Sequence, residues 1–342
     1  MREMNGGKKV LEQIQPKITK DLIRIKVLGI GGGGNNAVNQ MIKSNIDGAE
    51  YILINTERQI LDKANTNGCK TLQIGKEIAQ GMGAGANPEV GEKAARESID
   101  DIDKILDGTD LVFLTAGMGG GTGTGAIPVI AEEAKRRGIL TVGVVTTPFT
   151  FEGKLRSVRA EMGIERLKPN VNALIIISNN ELLASTTTNV SILNAFKLTD
   201  DVLRQAIESI TDLVNSIGTI NVDFADIRTI LSYEGLSYMG IGEATGGAKV
   251  ENATKAALAN PLTENKIDGA KGVIFNIKGG EDISLDDINK SAGLISEKID
   301  PDANVIFGNV TEPELGDKVV VTIVPTGVKK QENKDEEKDA KK

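Results

Sequence analysis

Histidine and tryptophan are absent from the 342 residues, cysteine occurs once, and the aromatic side chains are three tyrosines and seven phenylalanines. Without histidine there can be no Ser-His-Asp or Cys-His nucleophile, no imidazole general base and no histidine-ligated metal. Cys69 alone cannot close an intrachain disulfide, which points to a reducing, intracellular compartment. So few aromatics make a poor stacking platform for single strands. A net charge of −8 lacks the basic field of a general nucleic-acid binder. Apolar runs approaching the roughly 20 residues of a membrane span are also missing, and the charged stretch 1–20 has no signal-peptide core. The expectation is a cytoplasmic protein with no nucleic-acid partner, no direct membrane insertion and no metal held by side chains alone. Its 39% hydrophobic and 26% charged residues are a globular composition. At this length two domains are expected.

Glycine is abundant, and it is concentrated where apolar runs end. Leu111–Leu114 reads as a buried strand that leads into Ala116-Gly117-Met118-Gly119-Gly120-Gly121-Thr122-Gly123-Thr124-Gly125-Ala126, with a helix-compatible segment, 127–137, behind. Glycine lets backbone N–H groups approach a ligand closely, and a helix start adds partial positive charge, so such a junction suits phosphate. The same grammar occurs earlier. A strand at 22–28 meets Gly29-Ile30-Gly31-Gly32-Gly33-Gly34-Asn35-Asn36, then a helix at 37–44 and a strand at 51–54, a βαβ opening. A third small-residue loop occupies 81–91, ahead of a helix at 92–106.

Gly29-x-Gly31-x-x-Gly34 also fits the dinucleotide fingerprint of NAD(P)-dependent oxidoreductases. That alternative calls for an acid about 20 residues on, at the end of the second strand, where this chain has Asn55-Thr56, and it does not need the two further loops. The P-loop pattern is absent. Asn265-Lys266-Ile267-Asp268, which mimics a guanine-reading motif of P-loop GTPases, is accordingly taken as a surface turn. Three glycine loops without a phosphate-gripping lysine suggest a nucleoside triphosphate held mainly by backbone amides beyond the carboxyl ends of the strands.

Further apolar runs at 140–146 and 173–178 alternate with helices and predict a parallel sheet covered on both faces. Apolar residues spaced three and four apart over 193–217 predict one long helix ended by Gly218. Beyond it come a short helix at 224–231, a strand at 238–242, a helix at 249–260 and strands at 272–277, 303–310 and 318–324. The expected organisation is a polar arm (1–21), a nucleotide-binding domain (22–197), a connecting helix (198–220), an α+β domain (221–328) and a charged, solvated tail (329–342).

Gly-Gly-Gly-Thr-Gly-Thr-Gly at 119–125 resembles the signature of the tubulin/FtsZ family. From about Ile23 to Val328 the chain resembles its FtsZ branch, the prokaryotic cell-division GTPases. The motifs that carry the likeness are 31–37, 83–91, 115–126, Pro148-Phe149-Thr150-Phe151-Glu152-Gly153-Lys154, Asn221-Val222-Asp223-Phe224-Ala225-Asp226 and Met239-Gly240-Ile241-Gly242. The fold implied is α/β: a Rossmann-like GTP-binding domain with a parallel sheet, a long central helix and a smaller α+β C-terminal domain.

The resemblance implies that Gly32, Gly33, Gly34, Asn35 and Asn36 line GTP or GDP and that Gly120, Gly121, Thr122, Gly123 and Thr124 wrap its α- and β-phosphates. It implies that Ala84, Gly85, Ala86 and Asn87 sense the γ-phosphate and that Glu152 and Arg156 touch ribose and phosphate. It places Asn179 beside the base, with Phe196 stacked on guanine and Asp200 accepting its N1–H and amino group. Mg2+ would be held mainly by the nucleotide. Local chemistry offers alternatives: Glu152 and Arg156 also make an i,i+4 pair, and Asp200 also suits a helix N-terminus. Asp223 and Asp226 read equally as the cap and first-turn acid of the helix that follows. The resemblance gives them, with Asn221, a catalytic role on the nucleotide of the adjacent subunit, in head-to-tail filaments of a division ring. Adaptor proteins are possible further partners. Where the family usually reads Pro-Asn-Asp-Arg, this chain has Ser178-Asn179-Asn180-Glu181, and its tail lacks the apolar peptide by which many members bind membrane adaptors.

Overall fold

A computed structural model of the chain describes residues 23–44, 48–64, 69–184, 186, 190–215, 222–260 and 267–328. Six strands, β1 (Ile25–Ile30), β2 (Ala49–Asn55), β3 (Cys69–Gln73), β4 (Leu111–Gly117), β5 (Leu140–Thr147) and β6 (Ala173–Ser178), form one sheet in the order β3-β2-β1-β4-β5-β6, parallel throughout. The order reverses between β1 and β4, the switch point at which open α/β sheets hold ligands. Four further strands, β7 (Gly240–Ala244), β8 (Gly272–Gly279), β9 (Asn304–Thr311) and β10 (Val319–Thr326), make a second, mixed sheet ordered β7-β10-β8-β9. The expected α/β fold with a smaller α+β unit is what the chain adopts.

Strand alternation builds two cores from one sheet. Val27, Leu53, Phe113 and Val142 face one core, and Leu28, Ile52, Leu114 and Val145 face the other. The second core is closed by the paired helices Pro88–Glu97 and Thr122–Arg136. Their backbones meet so closely that a Cβ on Gly125 would stand 1.9 Å from the carbonyl oxygen of Pro88. The first core is closed by the long helix Ile192–Asn215, whose Leu203, Ala206, Ile207 and Ile210 share it with Ile274, Ile306 and Val324 of the small sheet. Its 24 residues span about 36 Å. Farther along the helix the contact turns ionic: Lys278 Nζ on β8 lies 2.6 Å from Glu208 and 2.7 Å from Glu312.

Several boundaries move. The helices expected at 37–44 and 127–137 begin at Gly31 and Thr122, so Gly31–Gly34 form the first turn of one and Gly123 lies in the first turn of the other, while Gly119–Gly121 remain a turn ahead of it. The helix expected over 92–106 is two, Pro88–Glu97 and Ile99–Leu106, broken at Ser98, whose hydroxyl accepts the amide N–H of Gly75 at 3.0 Å. Edge strand β3 and the helix Leu285–Ser296 were not signalled by apolar runs. The N-terminal arm, Gly218, Asn221, residues 265 and 266 and the tail from 329 lie outside the described residues.

Candidate functional site

Two adjoining cavities open at the carboxyl ends of β1, β2, β4, β5 and β6. The first, about 270 Å³, is lined by Gly33, Asn36, Gly117, Glu152, Arg156, Asn179, Phe196, Thr199 and Asp200, among others. The second, about 390 Å³, is lined by Gly32, Gly33, Glu57, Ala84, Gly85, Ala86, Gly120, Gly121, Thr122, Gly123 and Arg156 with others. Gly33, Gly117 and Arg156 belong to both, so they form one elongated site of ligand size.

Two helices start at this site, at Gly31 and Thr122, and neither has a side chain capping its first turn. Their free N–H groups and dipole ends point a partial positive charge into the second cavity. Among the described lining residues Arg156 is the one full cation. Gly31 has φ +72, a turn that favours glycine. Gly32 and Gly120 are different. Neither has a positive φ, and nothing lies within 4 Å of where their Cβ atoms would stand. The fold itself does not require glycine there; a group brought against the backbone from outside would. Phosphate oxygens at two helix starts are such a group. Gly120→Ala should therefore leave the melting temperature within a few degrees of the parent while weakening triphosphate binding by about tenfold or more, measured by calorimetry.

Other residues stand just behind these walls. Asn35 is buried, its Nδ2 donating to Gly29 O at 2.7 Å while its Oδ1 accepts from Asn55 Nδ2 at 2.7 Å. It ties the first glycine turn to the end of β2. Thr124 Oγ1 accepts from Gly119 N at 2.8 Å and so fixes the second glycine turn. Asn87 caps the helix Pro88–Glu97 through Glu89 N. Gly34 is pressed against β4, with Thr115 O 2.3 Å from its would-be Cβ. These four shape the cavities without lining them.

At the far end of the first cavity Phe196 meets Phe149 edge-on, with ring centroids 5.3 Å apart, and remains 40% exposed at the rim. Asp200 lies one helical turn on. Burial, reinforced by the charge of Asp201, pushes its carboxyl up to about 7. A half-buried carboxylate without a cation beside it is matched by a ligand bearing adjacent N–H donors. Glu152 accepts from Phe149 N at 2.9 Å and pairs with Arg156 Nε at 3.1 Å, the i,i+4 pair read from the sequence, now at the junction of the two cavities. Glu57 and Thr199 line the site but were not singled out. Glu57 lies two residues past β2, where a dinucleotide fold would carry its ribose acid, yet it faces the glycine turns. The strand-end rule could have found it; nothing in the spacing marks Thr199.

Asp223 and Asp226 are elsewhere. The helix Phe224–Leu231 packs at the opposite, amino-terminal edge of the sheet. Its Arg228 reaches Gly138 O, ahead of β5, and the adjoining Ser232 Oγ accepts from Asn172 Nδ2, ahead of β6, at 3.3 Å. The long helix ends at that same edge, where Asn215 Nδ2 donates to Gly48 O at 3.1 Å just before β2. Asp223 caps the short helix through Ala225 N at 3.2 Å, and Asp226 is exposed in its first turn. Helix capping is thus present for Asp223, and both acids are too far away to touch the cavities of their own chain.

Residues 24–187 match the model of the Tubulin/FtsZ family, GTPase domain, and residues 235–329 that of the FtsZ family, C-terminal domain. The chain belongs to the tubulin/FtsZ family. It is 40% identical to an empty FtsZ dimer from M. jannaschii, with a TM-score of 0.86, over 90% of this chain and 89% of that one. It shares its fold, at 22% identity and a TM-score of 0.76, with GDP-bound monomeric CetZ1 from Haloferax volcanii, over 90% of this chain and 95% of that one. CetZ2 from the same organism, in a GTPγS-bound protofilament, matches at 17% identity and 0.77, over 92% and 96%. Membership of the tubulin/FtsZ family gives the first domain its GTPase character and removes the dinucleotide reading of Gly29–Gly34. No helix among the described residues is long and apolar enough to cross a membrane.

Proposed function

We propose that the protein binds GTP in the paired cavities, assembles head to tail into filaments and hydrolyses the nucleotide at the joint between subunits, as a cytoplasmic component of a division ring. The carrying observation is the separation of parts. The glycine turns and base pocket occupy one end of the molecule, and the exposed acids Asp223 and Asp226 occupy the other. A site split in this way is completed by translating one copy onto the next, a heterologous contact that propagates as a filament. Met82, Phe151, Ile192 and Leu193, each 60% exposed or more, supply apolar surface on and beside the elements that line the cavities, as an assembly contact needs.

In this reading the backbone of Gly32, Gly33, Gly120, Gly121 and Gly123 with Thr122 holds the phosphates, and Ala84, Gly85 and Ala86 approach the terminal one. Gly34, Asn35, Asn87 and Thr124 hold those turns in shape, Arg156 and Glu152 sit between phosphate and ribose, and Asn36, Asn179, Phe196 and Asp200 receive guanine. Glu57 brings a carboxylate oxygen beside the phosphate cavity, a donor that fits the hard, oxygen-preferring Mg2+ a triphosphate carries. That ion would offset phosphate charge. Asp223 and Asp226 of the following subunit orient and deprotonate the attacking water, and Asn221, which belongs to the same sequence motif, shares that role. Loss of the γ-phosphate then removes a contact at the joint and weakens the filament.

The likeness to an FtsZ dimer supports assembly and, among possible filament systems, division; the CetZ likenesses are of fold alone. GTPase activity per subunit should rise steeply with protein concentration above a threshold, in step with light scattering seen with GTP and lost with GDP. Activity per subunit independent of concentration would refute the shared site, and a response to NADH in place of GTP would refute the nucleotide.

A further inference from the structure

We infer that the helix Lys154–Leu167 is a contact surface for a second copy of this chain, through which two filaments pair side by side and antiparallel. That pairing rests on the head-to-tail filament proposed for the protein. Ala160, Ile164 and Leu167 seat one face of the helix in the second core. At 3.6 residues per turn, Leu155, Val158 and Met162 fall within about 60° of one another on the opposite face. They are 64%, 40% and 63% exposed, so among the described residues this face is open. Three large apolar side chains at spacings of three and four make the seam of a helix pair rather than a solvated surface.

The charges beside the stripe select the occupant and its direction. Lys154, Glu161 and Glu165 share one flank and are all exposed; among the described residues none of them is engaged in an ion pair. The flank is thus basic at the start of the helix and acidic toward its end. A copy laid parallel would set Lys154 against Lys154 and the acids against each other. A copy laid antiparallel, with Leu155 against its Met162, puts the two-fold axis between Val158 and Arg159. Lys154 then comes level with the stretch of the second copy between Glu161 and Glu165, and symmetry repeats the match. On the other flank Arg166 already pairs with Glu92 of its own chain, while Arg159 lies near the axis and faces its own copy.

The helix leaves the turn Thr150–Glu152 at the carboxyl edge of the sheet and runs back to the amino-terminal edge ahead of β6. Its axis therefore lies along the line joining the two ends that head-to-tail assembly uses. A contact along it joins filaments sideways. The stripe from Leu155 to Met162 is only about 10 Å long, too small for the roughly 800 Å² per partner of a stable complex. Two free subunits are not held by it. Repeated at each subunit along two filaments of equal spacing, the same weak contact acts many times at once.

The test is electron microscopy and sedimentation of the full-length protein with GTP. The parent should form paired filaments. Val158→Glu, which sets two carboxylates against each other at the axis, should give single filaments at a critical concentration within about twofold of the parent. Lys154→Glu alone, and Glu161→Lys with Glu165→Lys, should each separate the pairs. The three changes combined should restore them, a rescue that a folding defect cannot produce. Arg159→Ala, which removes a like-charged pair across the axis, should strengthen pairing. In a Cys69→Ser background, Val158→Cys should be joined to itself by a short bismaleimide in GTP filaments and not in GDP-bound subunits. Pairs that survive Val158→Glu overturn the inference, as does a combined charge exchange that leaves filaments single. Single filaments in the parent overturn this inference alone, whereas a parent that forms no filament overturns it together with the filament reading.

Discussion

Asp200→Ala should reduce GTP affinity by two to three powers of ten while leaving the fold intact. In the proposed reading the carboxylate, which lines the first cavity, receives guanine N1–H and its amino group, and two charge-assisted hydrogen bonds together contribute about 3–4 kcal/mol. Burial already holds the empty pocket's Asp200 at about 7. At neutral pH roughly half of it carries a proton that guanine must displace. Affinity should therefore be flat above about pH 8 and fall as pH drops through 7, approaching tenfold per unit. Calorimetry at pH 6.5 in two buffers of different ionisation enthalpy should register proton release, and Asp200→Asn should abolish that component.

The stability of the empty protein runs the other way. A carboxyl whose folded pKa is raised above its unfolded value contributes stability below the unfolded value and loses it as pH rises through about 7. Without nucleotide, Asp200→Asn should thus melt higher than the parent at pH 8 and no higher at pH 4. A variant that is more stable and binds worse is what a binding site, rather than a helix-end charge, produces.

Much of this site was legible in the sequence because its chemistry lies in the backbone. Glycine clusters after apolar runs reveal where N–H groups are bare, and they marked both strand-to-helix junctions at the sheet's switch point, although the helices start six and five residues earlier than expected, at Gly31 and Thr122. What spacing could not tell was which members face outward. Gly32 and Gly34 are two residues apart in the same run, yet the first meets open space and the second meets Thr115 O of β4. Asn35 and Asn36 divide in the same way, one tied to backbone carbonyls and one lining the cavity. That division depends on which side of the first helical turn packs on the sheet, and it appears only when the neighbouring strand is in place. Edge strand β3 escaped for a related reason: as Cys69–Gln73 it is half exposed and lacks the continuous apolar run that betrays a central strand. Glu57 sits where the strand-end rule would look, two residues past β2, whereas Thr199 lines the first cavity with nothing in the local spacing to mark it.

Asp226→Ala should retain GTP binding and assembly but lose at least a hundredfold in turnover, the scale on which positioned acid–base groups act. Asp226 makes a cleaner test than Asp223. Asp223 also caps its helix through Ala225 N, so its removal costs about 1 kcal/mol of stability on top of any catalytic loss. Asp226 sits exposed in the first turn, where its loss touches little else. The two halves of the site can also be separated between molecules. At a GTP concentration well below the weakened Kd of Asp200→Ala, its subunits keep both acids but hold little nucleotide; Asp226→Ala subunits hold nucleotide but lack the acid. Each is expected to be inactive alone. In an equal mixture, joints that place an Asp200→Ala acid end against an Asp226→Ala nucleotide end are complete, so hydrolysis should return to a sizeable fraction of the parent rate. Its amount should rise with total concentration, because only assembled pairs contribute. If Asp226 worked within its own chain, every molecule in the mixture would still lack one half, and no mixing ratio would restore turnover. The position of the short helix at the amino-terminal edge of the sheet, with the glycine turns at the carboxyl edge, makes complementation the expected result.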